Sequence, residues 1–296
     1  MTGNNHAIVV GVDGSFDSGS ALDWAVAEAR RRSVGVRIVH AVWMPTTAVV
    51  FGDASMLPPP DDLLNYGEEV LQTAGERVSL QDSAVPVETT LLVRRPDEAL
   101  LEAARDAALI VVGTRGLSGL GAMALGTVSG RVAASAPCPV VVVPPTAAPV
   151  DGPVVVGVDG SGHSDAALRF ALAEAAIRHT AVVAVNAHRV PSPTPLIDSH
   201  TMSKVAAEER RIATETVSEA IDRARRADGD VDVTVEVEAG DPADVLLDHG
   251  RDAGLIVVGS RGLGKVRGVL LGSVSQAVLH QTSRPVAVVR APASAS

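Results

Sequence analysis

The sequence contains two copies of one pattern, and this repeat limits the possible folds more than any other feature. The segment Ile8-Val-Val-Gly-Val-Asp-Gly-Ser15 returns as Val154-Val-Val-Gly-Val-Asp-Gly-Ser161, displaced by 146 positions. Pro139-Val-Val-Val-Val143 returns as Pro285-Val-Ala-Val-Val289 at the same displacement. A period this long exceeds those of solenoids and other short-repeat arrays. The sequence therefore predicts a duplicated domain.

The length of the chain agrees with two domains, since 296 residues are about twice the roughly 150 expected of one. The segment from Pro144 to Pro153 lies between the copies, and its four prolines disfavour a continuing strand or an early helix. We therefore predict a first domain at residues 1–145, a linker at 146–152 and a second domain at 153–296.

Each copy alternates short apolar runs with segments of helical period. In the first copy these patterns predict strands at 7–12, 36–42, 86–93, 109–112 and 139–143, and helices near 17–32, 61–81, 96–106 and 126–135. Continuous Val, Ile and Leu runs are typical of parallel strands that are covered on both faces. The alternation predicts an α/β fold: two tandem Rossmann-like, doubly wound domains, each a parallel sheet flanked by helices.

Composition argues against several classes of protein. A formal net charge of -10 and an aromatic content of 2% disfavour a nucleic-acid binder, which needs basic fields and stacking rings. No apolar run reaches the roughly 18 residues of a membrane helix, and we expect no secretory signal and no membrane partner. The single cysteine, Cys138, cannot form an intramolecular disulfide; we expect a buried side chain and a cytoplasmic protein.

Two loops in each copy follow strand ends and carry unusual residues. The first is Gly11-Val-Asp-Gly-Ser15, which returns at 157–161. The second runs from Gly113-Thr-Arg-Gly116 through nine residues to Gly126-Thr127, and it returns as Gly259-Ser-Arg-Gly262, nine residues and Gly272-Ser273. Ligands of open α/β sheets bind beyond the carboxyl ends of the strands, where the winding reverses. If strands one and four are neighbours there, both loops line one cleft.

The second loop has the chemistry of a phosphate-binding loop. Its glycines allow backbone N–H groups to approach phosphoryl oxygens, and the helix that follows adds free N–H groups and a positive dipole end. The hydroxyls of Thr127, Ser129, Ser273 and Ser275 can add hydrogen bonds. Binding by backbone donors explains how so acidic a chain could hold an anion. Because the histidines show no ligand spacing, we predict no metal site.

At these residues the chain resembles a known family. A Gly-x2-Gly-x9-Gly-[Ser/Thr] loop together with a strand-one aspartate is similar to the ATP-binding subset of the universal stress proteins, in the tandem form found in mycobacteria. The resemblance implies a five-stranded sheet of order 3-2-1-4-5 in each domain, with ATP, accompanied by Mg2+, between strands one and four. It also implies a regulator in stress response and growth control.

The resemblance further implies which residues hold ATP. Asp13 and Asp159 are expected at the adenosine, with Ala41 and Ala187 beside the adenine. The first-copy loops would contribute Gly11, Gly113, Thr114, Arg115, Gly116, Leu117, Ser118, Gly119, Gly126, Thr127, Val128 and Ser129. The second-copy loops would contribute Gly157, Gly259, Ser260, Arg261, Gly262, Leu263, Gly264, Lys265, Gly272, Ser273, Val274 and Ser275.

Other nucleotide motifs match poorly. A Walker A loop requires Ser or Thr after a Gly-Lys pair, but Gly264-Lys265 is followed by Val266. Gly119-Leu-Gly-Ala-Met-Ala124 imitates a dinucleotide fingerprint without directly following a strand. His40 would border the cleft, but its mate in the repeat is Asn186, which disfavours a shared catalytic role.

Three functional interpretations stay open from the sequence alone. The leading one is a non-enzymatic ATP-binding regulator with an unidentified protein partner, since the loops supply no acidic pair for metal chemistry. The alternatives are a slow ATP hydrolase or nucleotidyl-transfer enzyme, and a structural tandem module without nucleotide. The charge-free runs Val140–Val143 and Val286–Val289 would form sheet edges, which favour pairing. We expect these fifth strands to pair between domains or across chains, and we expect a homodimer.

The two spacers inside the long loops predict unequal sites. The second spacer carries Lys265 and Arg267, whereas the first has no basic residue after Arg115. We expect the second site to hold triphosphate more tightly and with a steeper salt dependence, because salt screens charge attraction. ATP titrations of single-site knockouts at two salt concentrations check this expectation, which equal affinities and equal slopes would remove.

Overall fold

Short, valine-rich strands alternate with helices along the chain, as the sequence predicts. The computed structural model describes residues 7–43, 60–116, 125–145, 151–188, 199–225, 231–263 and 271–291. The chain divides into two compact units, Met1–Pro145 and Thr146–Ser296. No helix among the described residues is long and apolar enough to cross a membrane.

The first unit contains five strands and four helices among its described residues. The strands are β1 Ile8–Gly11, β2 Val36–Val42, β3 Val87–Val93, β4 Leu109–Gly113 and β5 Val140–Val143. The helices are α1 Phe16–Arg32, α2 Asp61–Gln81, α3 Pro96–Ala103 and α4 Thr127–Ser135, and a 3-10 turn at Ala104–Asp106 follows α3. The predicted helix at 96–106 therefore ends three residues early and tightens into a 3-10 turn.

The second unit repeats this order. Its strands are β6 Val154–Gly157, β7 Val182–His188, β8 Val233–Ala239, β9 Leu255–Gly259 and β10 Val286–Val289. Its helices are α5 Gly162–Arg178, α6 Ser199–Arg225, α7 Pro242–His249 and α8 Ser273–Gln281.

Each unit has a parallel sheet of the predicted class. In the first unit β1 pairs with β2 and β4, β2 pairs with β3, and β4 pairs with β5, which gives the order 3-2-1-4-5. In the second unit β6 pairs with β7 and β9, β7 with β8, and β9 with β10, which gives the same order. Helices α1 and α2 pack together, as do α3 and α4. The winding reverses between strands one and four, where the predicted cleft should lie.

The central strands are buried on both faces. Ile8, Val9 and Val10 of β1 are completely inaccessible, and so are Leu109 and Ile110 of β4. Their continuous burial explains why the sequence shows unbroken apolar runs rather than an alternation.

The corner after the first strand has the same conformation in both units. Gly14 and Gly160 adopt positive φ, at 84° and 79°, which the other residue types rarely tolerate. Ser15 and Ser161 then cap α1 and α5, each accepting a hydrogen bond from the backbone N–H three residues on. The sequence predicts that the first strand continues to residue 12. Strand β1 instead ends at Gly11, because the chain turns at this corner.

A buried carboxylate lies near the end of the first helix in each unit. Glu28 is fully buried and accepts from Arg32 Nε at 2.8 Å, and its mate Glu174 accepts from Arg178 Nε at 3.2 Å. Burying these charges is tolerated because each has a guanidinium one helical turn away.

We predict that Gly160→Ala destabilises the second unit. The substitution forces a β-carbon into positive φ and places it 2.9 Å from Thr216 Cγ2, so we expect the free energy of unfolding to fall by about 1–2 kcal/mol. Urea denaturation followed by circular dichroism measures this loss.

Gly162→Ala is the matched control two residues away. A β-carbon there meets nothing within 4 Å, and alanine favours a helix over glycine, so stability should stay equal or rise. Equal losses from both variants would contradict the conformational argument.

Candidate functional site

The two predicted loops of the second unit meet around one cavity of about 760 Å3. The first-strand corner contributes Gly157, Val158 and Asp159, and the second loop contributes Gly259, Arg261, Gly262 and Leu263. The start of α8 contributes Leu271, Gly272, Ser273, Val274, Ser275 and Gln276. Further lining comes from the end of β7 and from α7, including Val185, Ala187 and Leu246, and from Ser164 of α5 and Val258 of β9. The cavity therefore lies beyond the strand ends, where the winding reverses.

Asp159 connects the two loops. One carboxylate oxygen accepts from the backbone N–H of Ser161 at 2.9 Å, and the other accepts from that of Leu263 at 3.2 Å. Gly262 lies so close that a β-carbon on it would be 2.5 Å from Asp159 Oδ2. A β-carbon at position 262 would therefore force the Asp159 carboxylate away from the position in which it joins the two loops.

The first unit repeats this contact. Asp13 Oδ1 accepts from the backbone N–H of Ser15 at 3.0 Å, and a β-carbon on Gly116 would collide with Asp13 Oδ2. The predicted aspartate and the predicted loop glycine are thus brought together in both units.

Two hydrogen bonds in each unit close the long loop. The Gly126 N–H donates to the Thr114 carbonyl at 2.7 Å, and the Ser129 hydroxyl donates to the Gly113 carbonyl at 2.7 Å. In the second unit Gly272 donates to Ser260 at 2.8 Å, and Ser275 donates to Gly259 at 2.6 Å. The Ser129 and Ser275 hydroxyl hydrogens thus hold the loop ends together, while each oxygen keeps its acceptor capacity and Ser275 also lines the cavity.

The helix that follows each loop begins without a side-chain cap. Gly126 and Gly272 occupy the N-cap positions of α4 and α8, and a glycine has no side chain that could accept a hydrogen bond from the first turn. By contrast, Ser15 caps α1. The first helical residues, Thr127 and Ser273, are exposed. The open N–H groups and the positive end of the helix dipole are suited to an anion.

His40 and Asn186 share a positioning role that sequence reasoning missed. His40 is buried, and its Nδ1 lies 2.7 Å from the Val12 carbonyl, to which it donates because a carbonyl only accepts. Asn186 Nδ2 donates to the Val158 carbonyl at 2.6 Å. The imidazole and the amide thus bind equivalent backbone carbonyls, which belong to the residues before Asp13 and Asp159. The chemical difference between the mates had argued against a shared catalytic role, but it does not prevent a shared structural one.

Sequence reasoning also missed a pair of mates at the base of the long loop. Asp17 accepts from Thr114 Oγ1 at 2.9 Å and lies 3.6 Å from Arg115 Nε. Its mate His163 accepts from the backbone N–H of Ala291 at 2.9 Å, and its Nδ1 lies 3.3 Å from Ser260 Oγ. The sequence does not single this position out, because the neighbouring positions 16 and 162, and 19 and 165, also differ between the two copies.

The other predicted residues are distributed as follows. Ala187 lines the cavity, Ala41 is half-buried at the matching place in β2, and Gly11 faces Leu100. Ser260 is buried beneath the loop rather than lining the cavity. Val128 is half-buried in the first turn of α4, as Val274 is in α8. The predictions for Leu117, Ser118, Gly119, Gly264 and Lys265, and the basic residue Arg267, fall outside the described residues.

Two further groups carry reactive or ligating atoms. Burial raises the pKa of the half-buried Cys138 thiol to about 11, so this residue is a poor nucleophile. Glu236, Glu238 and His249 bring their ligating atoms within 4.8 Å of one another, and His249 Nε2 is hydrogen-bonded to Glu238 at 2.9 Å. These three residues do not line the cavity, and the hydrogen bond between His249 and Glu238 accounts for the approach of those two.

Comparison with known proteins identifies a family that the chain matches over nearly its whole length. A model described as "Universal stress protein family" matches residues 4–144 and 152–290. The chain is 32% identical over 299 residues to a universal stress protein of Mycobacterium tuberculosis, with 96% of this chain and 97% of that protein covered. A universal stress protein of Mycolicibacterium smegmatis is 30% identical, with coverage of 98% and 99%.

A solved structure shows the same fold over nearly the whole length. The crystal structure of a universal stress protein from Archaeoglobus fulgidus covers 98% of this chain and 97% of its own, with a TM-score of 0.65 and 19% identity.

We predict that Ser275→Ala loosens the second loop. The variant leaves the Gly259 carbonyl without the 2.6 Å hydrogen bond, so the free energy of unfolding should fall by about 1–2 kcal/mol. Ser273→Ala, which changes an exposed hydroxyl on the same helical turn, is the control and should leave stability almost unchanged. Thermal unfolding of both variants checks this; equal melting temperatures would show that the hydroxyl does not hold the loop.

Proposed function

The chain belongs to the universal stress protein family, and we propose that it binds one ATP molecule in each unit as a nucleotide-dependent regulator in stress response and growth control. The proposal is supported most by one arrangement in the second unit. There a cavity of about 760 Å3 lies between the strand-one corner, the glycine loop and the uncapped start of α8. This volume falls within the range of small-molecule sites.

The cavity lining combines apolar side chains with backbone donors. Val185, Ala187 and Leu246 form apolar surface on the β7 and α7 side, which suits a purine base. The start of α8 supplies open N–H groups, which suit phosphates. Asp159, held between the two loops, is placed to accept hydrogen bonds from ribose hydroxyls. A nucleotide with an apolar base and an anionic tail matches this combination.

The first unit supports a second site of the same kind. Asp13 meets Gly116 as Asp159 meets Gly262, and the loop-closing hydrogen bonds of Gly126 and Ser129 repeat those of the second unit. Helix α4 also begins at an uncapped glycine. We therefore propose one ATP site in each unit, with Mg2+ held by the nucleotide phosphates.

We propose binding rather than turnover as the output. Phosphoryl transfer needs a metal-holding group and a residue that orients the attacking water. Among the described residues that line the cavity, Asp159 is the one carboxylate, so this lining supplies no acidic pair to hold a metal and orient a water. This arrangement supports a regulator that senses ATP and passes its state to a protein partner.

A charge placed at the start of each helix tests the two sites. Thr127→Asp and Ser273→Asp add a carboxylate where phosphates are expected, so each should remove one of two ATP equivalents in isothermal titration calorimetry, with affinity at least about tenfold weaker at that site. Thr127→Asn and Ser273→Asn are the nearly isosteric neutral controls and should retain both equivalents.

The same aspartates should not harm the fold. A carboxylate in the first turn of a helix stabilises it by about 0.3–1 kcal/mol, so the Asp variants should melt at the same or a higher temperature. ATP binding that stays equal in the Asp and Asn variants would contradict the proposal, as would purified protein that binds no nucleotide. Sustained ATP hydrolysis above that of an Asp13→Ala/Asp159→Ala double variant would favour a slow hydrolase instead.

A further inference from the structure

One pair of equivalent positions in the repeat carries different charges at the base of the two glycine loops. Asp17 of α1 and His163 of α5 occupy the same position of the repeat, and each contacts the hydroxyl residue that opens the long loop. That residue is Thr114 in the first unit and Ser260 in the second. The position is therefore next to the loop in both units, but its side chain is a carboxylate in one and an imidazole in the other.

In the first unit the carboxylate neutralises the loop arginine. Asp17 Oδ2 lies 3.6 Å from Arg115 Nε, and the Asp17 side chain is only 16% exposed. Because the ion pair is partly shielded from water, its charges cancel more effectively than an exposed pair would. A phosphate approaching this loop meets Arg115 with its charge largely compensated.

The second unit differs at the corresponding arginine. Arg261 lines the cavity, and among the described residues no carboxylate oxygen lies within 4.0 Å of its guanidinium. A second cation, Arg290, acts on His163 from the end of β10, where the first unit has the uncharged mate Pro144. The base of the second loop is therefore more positive than that of the first.

His163 is held in its neutral form by its surroundings. Its Nδ1 accepts the Ala291 N–H, which requires that this nitrogen carry no proton. Burial, together with the positive charges of Arg261 and Arg290, lowers the pKa of His163, and the nearby Asp159 only partly opposes them. At neutral pH the residue thus supports the loop without compensating Arg261.

We propose that this position sets how strongly each site discriminates by phosphate number: His163 makes the second site selective for nucleoside triphosphates, whereas Asp17 makes the first site tolerant of nucleotides with fewer phosphates. The inference rests on the proposed ATP binding. It is independent of the basic spacer residues, because substitutions at positions 17 and 163 leave both spacers unchanged. Asp17 and His163 act through the arginines and are positioning residues.

The test compares ATP and AMP at one site at a time. The Ser273→Asp chain reports the first site and the Thr127→Asp chain reports the second, and calorimetry gives the ratio of the Kd for AMP to the Kd for ATP. Adding His163→Asp should lower this ratio at the second site by about threefold to tenfold, the range for one partly exposed charge. Adding Asp17→Asn should raise it at the first site by a similar factor.

A neutral control separates charge from support of the loop. His163→Asn keeps an uncharged hydrogen-bond acceptor and should leave the ratio near that of the parent chain, whereas a purely structural loss would weaken ATP and AMP alike. Equal ratios in the His163→Asp and His163→Asn chains would overturn the inference. If ATP binds with two equivalents and the ratios do not move, only this inference fails. If no nucleotide binds to the full chain, the proposed function fails and this inference fails with it.

Discussion

The geometry of each glycine loop depends on the hydrogen bonds that join its two ends. In the first unit the Ser129 hydroxyl and the Gly126 N–H both donate to carbonyls at the end of β4, at 2.7 Å each. The second unit repeats both bonds at Ser275 and Gly272. These contacts hold the start of the following helix beside the strand end in both units. In the second unit that helix start lines the cavity.

The fold could be predicted because local and repeated signals agreed. Continuous Val and Ile runs identified β1 and β4 as buried parallel strands, and the duplication repeated every assignment in the second half. The glycines of the long loops could also be located, since spacing is visible in the sequence. What spacing does not show is which group a side chain will meet. Ser129 and Thr114 find partners 16 and 97 positions away along the chain, and such pairings are set by the packing of helices on the sheet.

The duplication separates what the fold requires from what it permits. Glu28 and Glu174 are both buried against arginines, and Gly14 and Gly160 both adopt positive φ, so these features belong to the shared architecture. His40 and Asn186 show that one structural task tolerates two chemistries, provided that each donates a hydrogen bond to the same carbonyl. Asp17 and His163 show the opposite case, in which one position keeps its contact with the loop but changes the charge beside it.

The uncapped helix starts at Gly126 and Gly272 have a practical consequence for mutagenesis. Main-chain amides stay in place when side chains are truncated, so we expect alanine scanning to detect the residues that hold the loops, such as Ser275 and Asp159, but not the amide donors themselves. The same property frees the surrounding residues to diverge, because sequence drift leaves peptide groups in place. We expect such a surface to lose binding when atoms or charge are added to it. A screen for loss of function should therefore use substitutions that enlarge a side chain or add a charge, rather than substitutions that truncate a side chain.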